Sequence, residues 1–214
     1  MLKVYYARCI EKDSFSEKLE QDKLHSDRIK KIQKLSNIDE KCRSLSAGLL
    51  VSYALEKENI SIKDIKIEYK ENGKPYLKDC KLYYNISHTK NYVAVVVSDR
   101  EVGIDVETIR ERWIKRYQQL GNLANKILSD KEKIIFDLKD TIDDKAAYFT
   151  EIWTKKESYV KTTGKGITSE LSKIDTSEMD CFFTDRIDYR TFLSICCFEN
   201  VNILEKINKK ELKL

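Results

Sequence analysis

The 214 residues predict an α+β fold with two similar halves. Three observations lead there: a long helical stretch reaching to about Glu58 is followed by short β-rich runs, a second from Asp143 to about Thr163 is followed by three more, and no low-complexity linker divides them. The expected architecture is a pseudo-twofold pair of lobes, residues 1–108 and 109–214, each a long helix packed on a small antiparallel sheet.

The elements follow in order. Residues 2–9 carry Tyr, Val and a short alternation and read as a strand, and Ser14-Phe15-Ser16-Glu17 has capping-box spacing for a helix to about Leu24. Residues 27–35 put Ile29, Ile32 and Leu35 on one helical face and Arg28, Lys30, Lys31 and Lys34 around the other. Asn37 caps the first long helix, which carries Leu45, Leu49, Leu50 and Tyr53, with Arg43 in its second turn. Ile65, Ile67 and Tyr69 alternate before the Asn72-Gly73 turn, and runs at 82–87, 92–98 and 102–107 suggest an antiparallel meander. Residues 110–128 form an interrupted helical region, and Ser129 with Glu132 caps another helix. The second long helix carries Phe149, Ile152, Trp153, Tyr159 and Val160 and ends at Gly164; strands at 181–187, 190–198 and 201–207 complete the reading.

Composition narrows the function classes. Hydrophobic residues at 41% and charged residues at 36%, with one Pro and six Gly, describe a folded globule rather than bulk disorder. Forty basic against thirty-six acidic side chains leave +4, enough to favour an anionic ligand or acidic partner, and no basic tract or motif points to nucleic acid. The six cysteines are scattered without a C-x-x-C and read as reduced and mostly buried. No run approaches eighteen apolar residues and no signal segment opens the chain, so a soluble, cytoplasmic protein without a membrane partner is expected.

Chemistry concentrates in Gly103-Ile104-Asp105-Val106-Glu107. Alternation turns Val102, Ile104 and Val106 to a core and stands Asp105 and Glu107 together on the other face, with room beside Gly103. Two carboxylates on one strand face suit a hard cation such as Mg²⁺, though acids on a strand's wet face are ordinary. Glu157 and Lys161 share a helical face, as a surface ion pair also would. Lys165 between two glycines could offer its ammonium and neighbouring N–H groups to a phosphate, or simply follow a helix cap.

Read together, Asn-Gly-Lys-Pro at 72–75, Asn-Ile-Ser-His at 85–88, Gly-Ile-Asp-Val-Glu at 103–107 and Trp-Thr-Lys-Lys-Glu-Ser-Tyr-Val-Lys at 153–161 followed by Gly-Lys-Gly resemble the phosphopantetheinyl transferase superfamily, in its surfactin-synthetase, two-lobed monomeric type. The resemblance implies transfer of 4'-phosphopantetheine from coenzyme A to a serine of an apo acyl or peptidyl carrier protein. It further implies an active site and coenzyme A site between the lobes. Asp105, Glu107 and Glu157 would hold Mg²⁺, with Mn²⁺ an alternative, and Glu157 would be the base, directly or through water. Lys161 would hold the pyrophosphate; His88 and Arg43 would meet the nucleotide 3'-phosphate, joined by Lys31 and Arg28; Lys74 and Pro75 would line the adenine pocket, with Ser87 beside the phosphates. Trp113, Ile114, Tyr117 and Leu120, among Arg112, Lys115 and Arg116, would face the carrier or pack in the core. Hydrolysis of coenzyme A by the same carboxylates and non-catalytic binding of coenzyme A or a carrier are the rival readings.

Overall fold

The computed structural model describes residues 1–21, 23–71, 73–164, 171–198 and 209–214. The chain forms two compact units, Met1–Val102 with Lys206–Leu214, and Gly103–Glu205.

In the first unit, strand β1 (Leu2–Arg8) is followed by helices α1 (Phe15–Leu19), α2 (Ser26–Lys34) and α3 (Ile38–Glu56). Strands β2 (Ile67–Tyr69) and β3 (Pro75–Leu77) make a separate hairpin, and β4 (Tyr83–His88) and β5 (Tyr92–Ser98) rejoin β1. Every residue of β5 is buried, as its near-continuous valine run requires of a strand paired on both edges. Leu50, Ala54 and Leu55 of α3 pack with Val93, Val95 and Val97, each fully buried valine contributing about 1.5–3 kcal/mol. Asn37 caps α3 as expected, its Oδ1 accepting from the N–H groups of Asp39 and Glu40. Ser14 makes no side-chain cap, so the expected capping box at α1 is absent and the helix there runs only to Leu19.

In the second unit, β6 (Gly103–Thr108) is followed by α4 (Glu111–Lys115), α5 (Tyr117–Ile127), α6 (Asp130–Asp137) and α7 (Ile142–Thr163), then by β7 (Phe182–Asp188) and β8 (Thr191–Cys196). The sheet order is β6-β8-β7, all antiparallel. Thr141 caps the start of α7, and Gly164 ends it in the left-handed region at φ 69°. The capping box at α6 forms in full between Ser129 and Glu132.

Two expectations about organisation change. The chain divides at Val102 and Gly103 rather than after residue 108, because β6 pairs with β8 along its whole length, from Gly103 opposite Cys196 to Thr108 opposite Thr191. The meander therefore stops at β5. A four-residue strand absent from the sequence reading, β9 (Lys209–Leu212), runs parallel to β1, while the strand expected at 201–207 lies outside the described residues, as do Asn72, Lys165 and Gly166.

One buried ion pair anchors α7. Lys156 and Glu132 are wholly enclosed, with Nζ 2.6 Å from Oε2. The three ammonium hydrogens are all used, the other two on the carbonyls of Ile127 at 2.7 Å and Leu171 at 3.0 Å. Glu132 also accepts from the N–H of Ser129 and from the N–H and hydroxyl of Thr176. Burial lowers the Lys156 pKa and the Glu132 carboxylate opposes that shift.

Candidate active site

The strand face bearing Gly103, Asp105 and Glu107 lies directly beneath α7. A Cβ added at Gly103 would fall 2.1 Å from the carbonyl oxygen of Ser158 and 2.6 Å from the amide nitrogen of Thr162, so only glycine lets the helix backbone lie this close. The room expected beside Gly103 is thus filled by the helix turn that carries Glu157 and Lys161, the residues preceding those two contacts. On the opposite face Val102, Ile104 and Val106 are fully buried, as alternation predicts.

Asp105 is 5% exposed, and its Oδ1 accepts from Lys161 Nζ at 2.7 Å. Glu107 is half-buried and takes Arg110 Nε at 3.1 Å. Glu157 is 7% exposed, and its Oε1 has no hydrogen-bond partner among the described residues. Burial and then the Asp105 carboxylate push the Glu157 carboxyl up to about 7, with Lys161 opposing and Glu107 adding to the rise. Among the described residues no three His, Cys, Asp or Glu side chains are arranged as a metal centre. Lys161 and Arg110 hold two of the three expected ligands. The donor chemistry nonetheless fits a hard cation, because all three groups offer oxygen and a buried carboxylate oxygen on Glu157 is left unmatched.

The first unit holds a cavity of about 280 Å³. Arg28, Lys31, His25 and His88 stand around it over an apolar floor that includes Val51, Ile62, Ile86 and Pro75. No ion pair joins Arg28 or Lys31 to a carboxylate among the described residues, and burial lowers the pKa of both, with Arg28 adding to the effect on Lys31. Gly48 makes space for this arrangement: a Cβ there would lie 2.6 Å from Leu24 Cδ2 and 2.9 Å from Arg28 Cγ.

Four expected nucleotide contacts, Arg28, Lys31, Pro75 and His88, therefore meet at one cavity. Three others do not line it. Lys74 turns to Glu101 Oε2 at 2.8 Å and to the Val102 carbonyl at 3.3 Å; Ser87 is buried in β4; Arg43 lies where its charge acts on the thiols of Cys9 and Cys42. Of the expected carrier surface, Trp113 and Leu120 are core residues, Trp113 edge-on to Phe149 with ring centroids 5.1 Å apart. Ile114 packs beside them, leaving Tyr117, Arg112, Lys115 and Arg116 exposed. Sequence reasoning missed His25; its signal was a histidine three residues before Arg28 and six before Lys31, near one helical face.

Fold and side chains define an α+β protein with an acidic, lysine-bearing cluster in one unit and a basic, aromatic-walled cavity in the other. Residues 101–196 match the family model of the 4'-phosphopantetheinyl transferase superfamily, and residues 14–100 match a model described as 4'-phosphopantetheinyl transferase, N-terminal. The chain belongs to the 4'-phosphopantetheinyl transferase superfamily, and its relatives support the surfactin-synthetase type. It is 35% identical over 132 residues to the 4'-phosphopantetheinyl transferase gsp of Aneurinibacillus migulanus, covering 61% of this chain and 52% of that protein. It is 32% identical over 142 residues to the 4'-phosphopantetheinyl transferase AcpT of Escherichia coli K12, 64% of each chain. The chain thus spans about half to two thirds of the length of the relatives it matches. A solved holo-(acyl-carrier-protein) synthase from Bacillus anthracis, in complex with coenzyme A, matches at 17% identity and a TM-score of 0.33, over 45% of this chain and 91% of that one.

Proposed function

We propose that the protein transfers 4'-phosphopantetheine from coenzyme A to a serine hydroxyl of an apo acyl or peptidyl carrier protein, releasing adenosine 3',5'-bisphosphate. The observation that carries this reading is Glu157, a buried carboxyl whose proton affinity sits near neutral beside Asp105 and Lys161. A base of that strength is matched to taking a proton from an alcohol at physiological pH. The serine oxygen attacks the phosphorus that bears pantetheine, its proton passes to Glu157, and the bond to the bisphosphate breaks. Lys161 holds the pyrophosphate and offsets charge on the departing group. Asp105, Glu107 and Glu157 would hold Mg²⁺, or Mn²⁺, and that ion when bound supplies further neutralisation of the pyrophosphate.

The cavity of the first unit takes the nucleotide end. Half-buried Arg28 and exposed Lys31, two cations without carboxylate partners among the described residues, favour a phosphate, and the apolar floor favours the adenine. The basic side chains around exposed Tyr117 suit an acidic carrier helix. In this reading the protein is a cytoplasmic monomer whose two units are related halves, each with its long helix on a small sheet; no described helix is long and apolar enough to cross a membrane. Light scattering on the purified protein checks the monomer.

The test is intact-mass spectrometry of an apo acyl carrier protein and an apo peptidyl carrier domain, each incubated with this protein, coenzyme A and Mg²⁺, with and without EDTA. A gain of one phosphopantetheine that EDTA prevents supports the reading. Loss of coenzyme A with no gain on either carrier replaces it with hydrolysis.

A further inference from the structure

We propose that His25 is a ligand-contact residue of the cavity, donating a hydrogen bond from Nε2 to a phosphate of the bound nucleotide; this deepens the coenzyme A reading and rests on it. His25 is the N-cap of α2, and its Nδ1 accepts from the N–H of Asp27 at 3.3 Å. A ring nitrogen that accepts there leaves the imidazole hydrogen on Nε2. Asp27 Oδ2 stands 3.7 Å from the same Nδ1, beyond hydrogen-bond distance, so the backbone N–H is the partner of that nitrogen. The side chain is 15% exposed, and His25 lines the cavity together with Arg28 and Lys31, two cations that lack carboxylate partners among the described residues.

The choice of residue is itself informative. Ser, Thr, Asp and Asn are the strong N-caps, and histidine is not among them. A position where a better cap is displaced by a ring that borders a ligand cavity is where function overrides local preference. Gly48 completes the arrangement by letting Leu24 and Arg28, on either side of His25, pack against α3.

The experiment measures calorimetric affinity for coenzyme A, adenosine 3',5'-bisphosphate and 3'-dephospho-coenzyme A, with ligand-free thermal melts, for wild type, His25→Ser and His25→Gln. Serine preserves or improves the cap and removes the cavity donor; glutamine places an amide nitrogen near the Nε2 position. His25→Ser is expected to melt no lower than wild type and to bind coenzyme A about tenfold more weakly, the size of one hydrogen bond to a charged group. His25→Gln is expected to recover most of that loss. A deficit absent with 3'-dephospho-coenzyme A assigns the contact to the 3'-phosphate, and one that persists assigns it to the pyrophosphate. Wild-type affinity in His25→Ser, or a weakened affinity accompanied by a lower melting temperature, overturns the inference. If wild type binds none of the three ligands, the coenzyme A reading falls and takes this inference with it.

Discussion

Replacing Glu157 with glutamine tests the electrostatics of the site separately from its chemistry. The folded carboxyl titrates at about 7 against an ordinary 4.5, and burial is the main cause. A group whose proton affinity is raised on folding contributes stability that is fully present below pH 4.5 and lost as pH rises through 7. Each tenfold in proton affinity corresponds to about 1.4 kcal/mol, so the ionised carboxylate costs the fold about 3 kcal/mol at pH 8. Glutamine keeps the shape and cannot ionise. In EDTA, urea denaturation should therefore find Glu157→Gln up to about 3 kcal/mol more stable than wild type at pH 8, with the gap closing toward pH 5. Taking the difference between the two proteins cancels the titrating groups that are not coupled to Glu157, leaving its own effect and that of its neighbours Asp105, Lys161 and Glu107. A gap that stays constant across this range would refute the argument, because the carboxyl would then be protonated alike in folded and unfolded chains.

Further outcomes follow from the same geometry. Asp105→Ala and Glu157→Gln should each abolish phosphopantetheine transfer by mass spectrometry while circular dichroism shows an intact fold. Lys161→Ala should lower turnover and weaken coenzyme A binding together, and should move the pH midpoint of the Glu157 effect upward, because the cation that opposes the rise is gone. Lys156→Met should cost about 3–5 kcal/mol in urea titration, since it strands the Glu132 carboxylate in a dry interior; a loss under 1 kcal/mol would mean water reaches Glu132. Gly103→Ala should cost about 1–3 kcal/mol or more, because its Cβ meets helix backbone rather than a yielding side chain, and thermal melts report it directly.

Local signals carried much of the fold and the placement of part of the candidate site. Thr163 and Gly164 ended α7 where expected, and strand alternation alone put Asp105 and Glu107 on one face with their valine and isoleucine neighbours on the other. Pairing across the chain left no such trace: nothing in Gly103–Thr108 says that its partner is Thr191–Cys196 rather than β5. Lys156 escaped because a lysine next to Glu157 and Lys161 reads as surface, and only the enclosed carboxylate of Glu132 makes its burial tolerable. Trp113 and Leu120 show the converse problem, as size and apolarity are the same whether a side chain fills a core or meets a partner. Lys74 belongs to the Asn-Gly-Lys-Pro run, and the turn of its side chain toward Glu101 is a matter of packing that no motif encodes.

The parallel pairing of β9 with β1 makes the second unit an insertion in the first: residues 2–8 wait for residues 209–212 while the whole of Gly103–Glu205 is made between them. On the ribosome the inserted unit is complete before its host sheet can close, and until then β1 presents an open edge of unpaired N–H and C=O groups. The four residues that close it are Lys209, Lys210, Glu211 and Leu212, a run too charged to attract a rival strand strongly. Closure of the cavity-bearing sheet therefore depends on pairing residues as far apart in the chain as Val4 and Lys209, and long-range pairings of this kind form slowly.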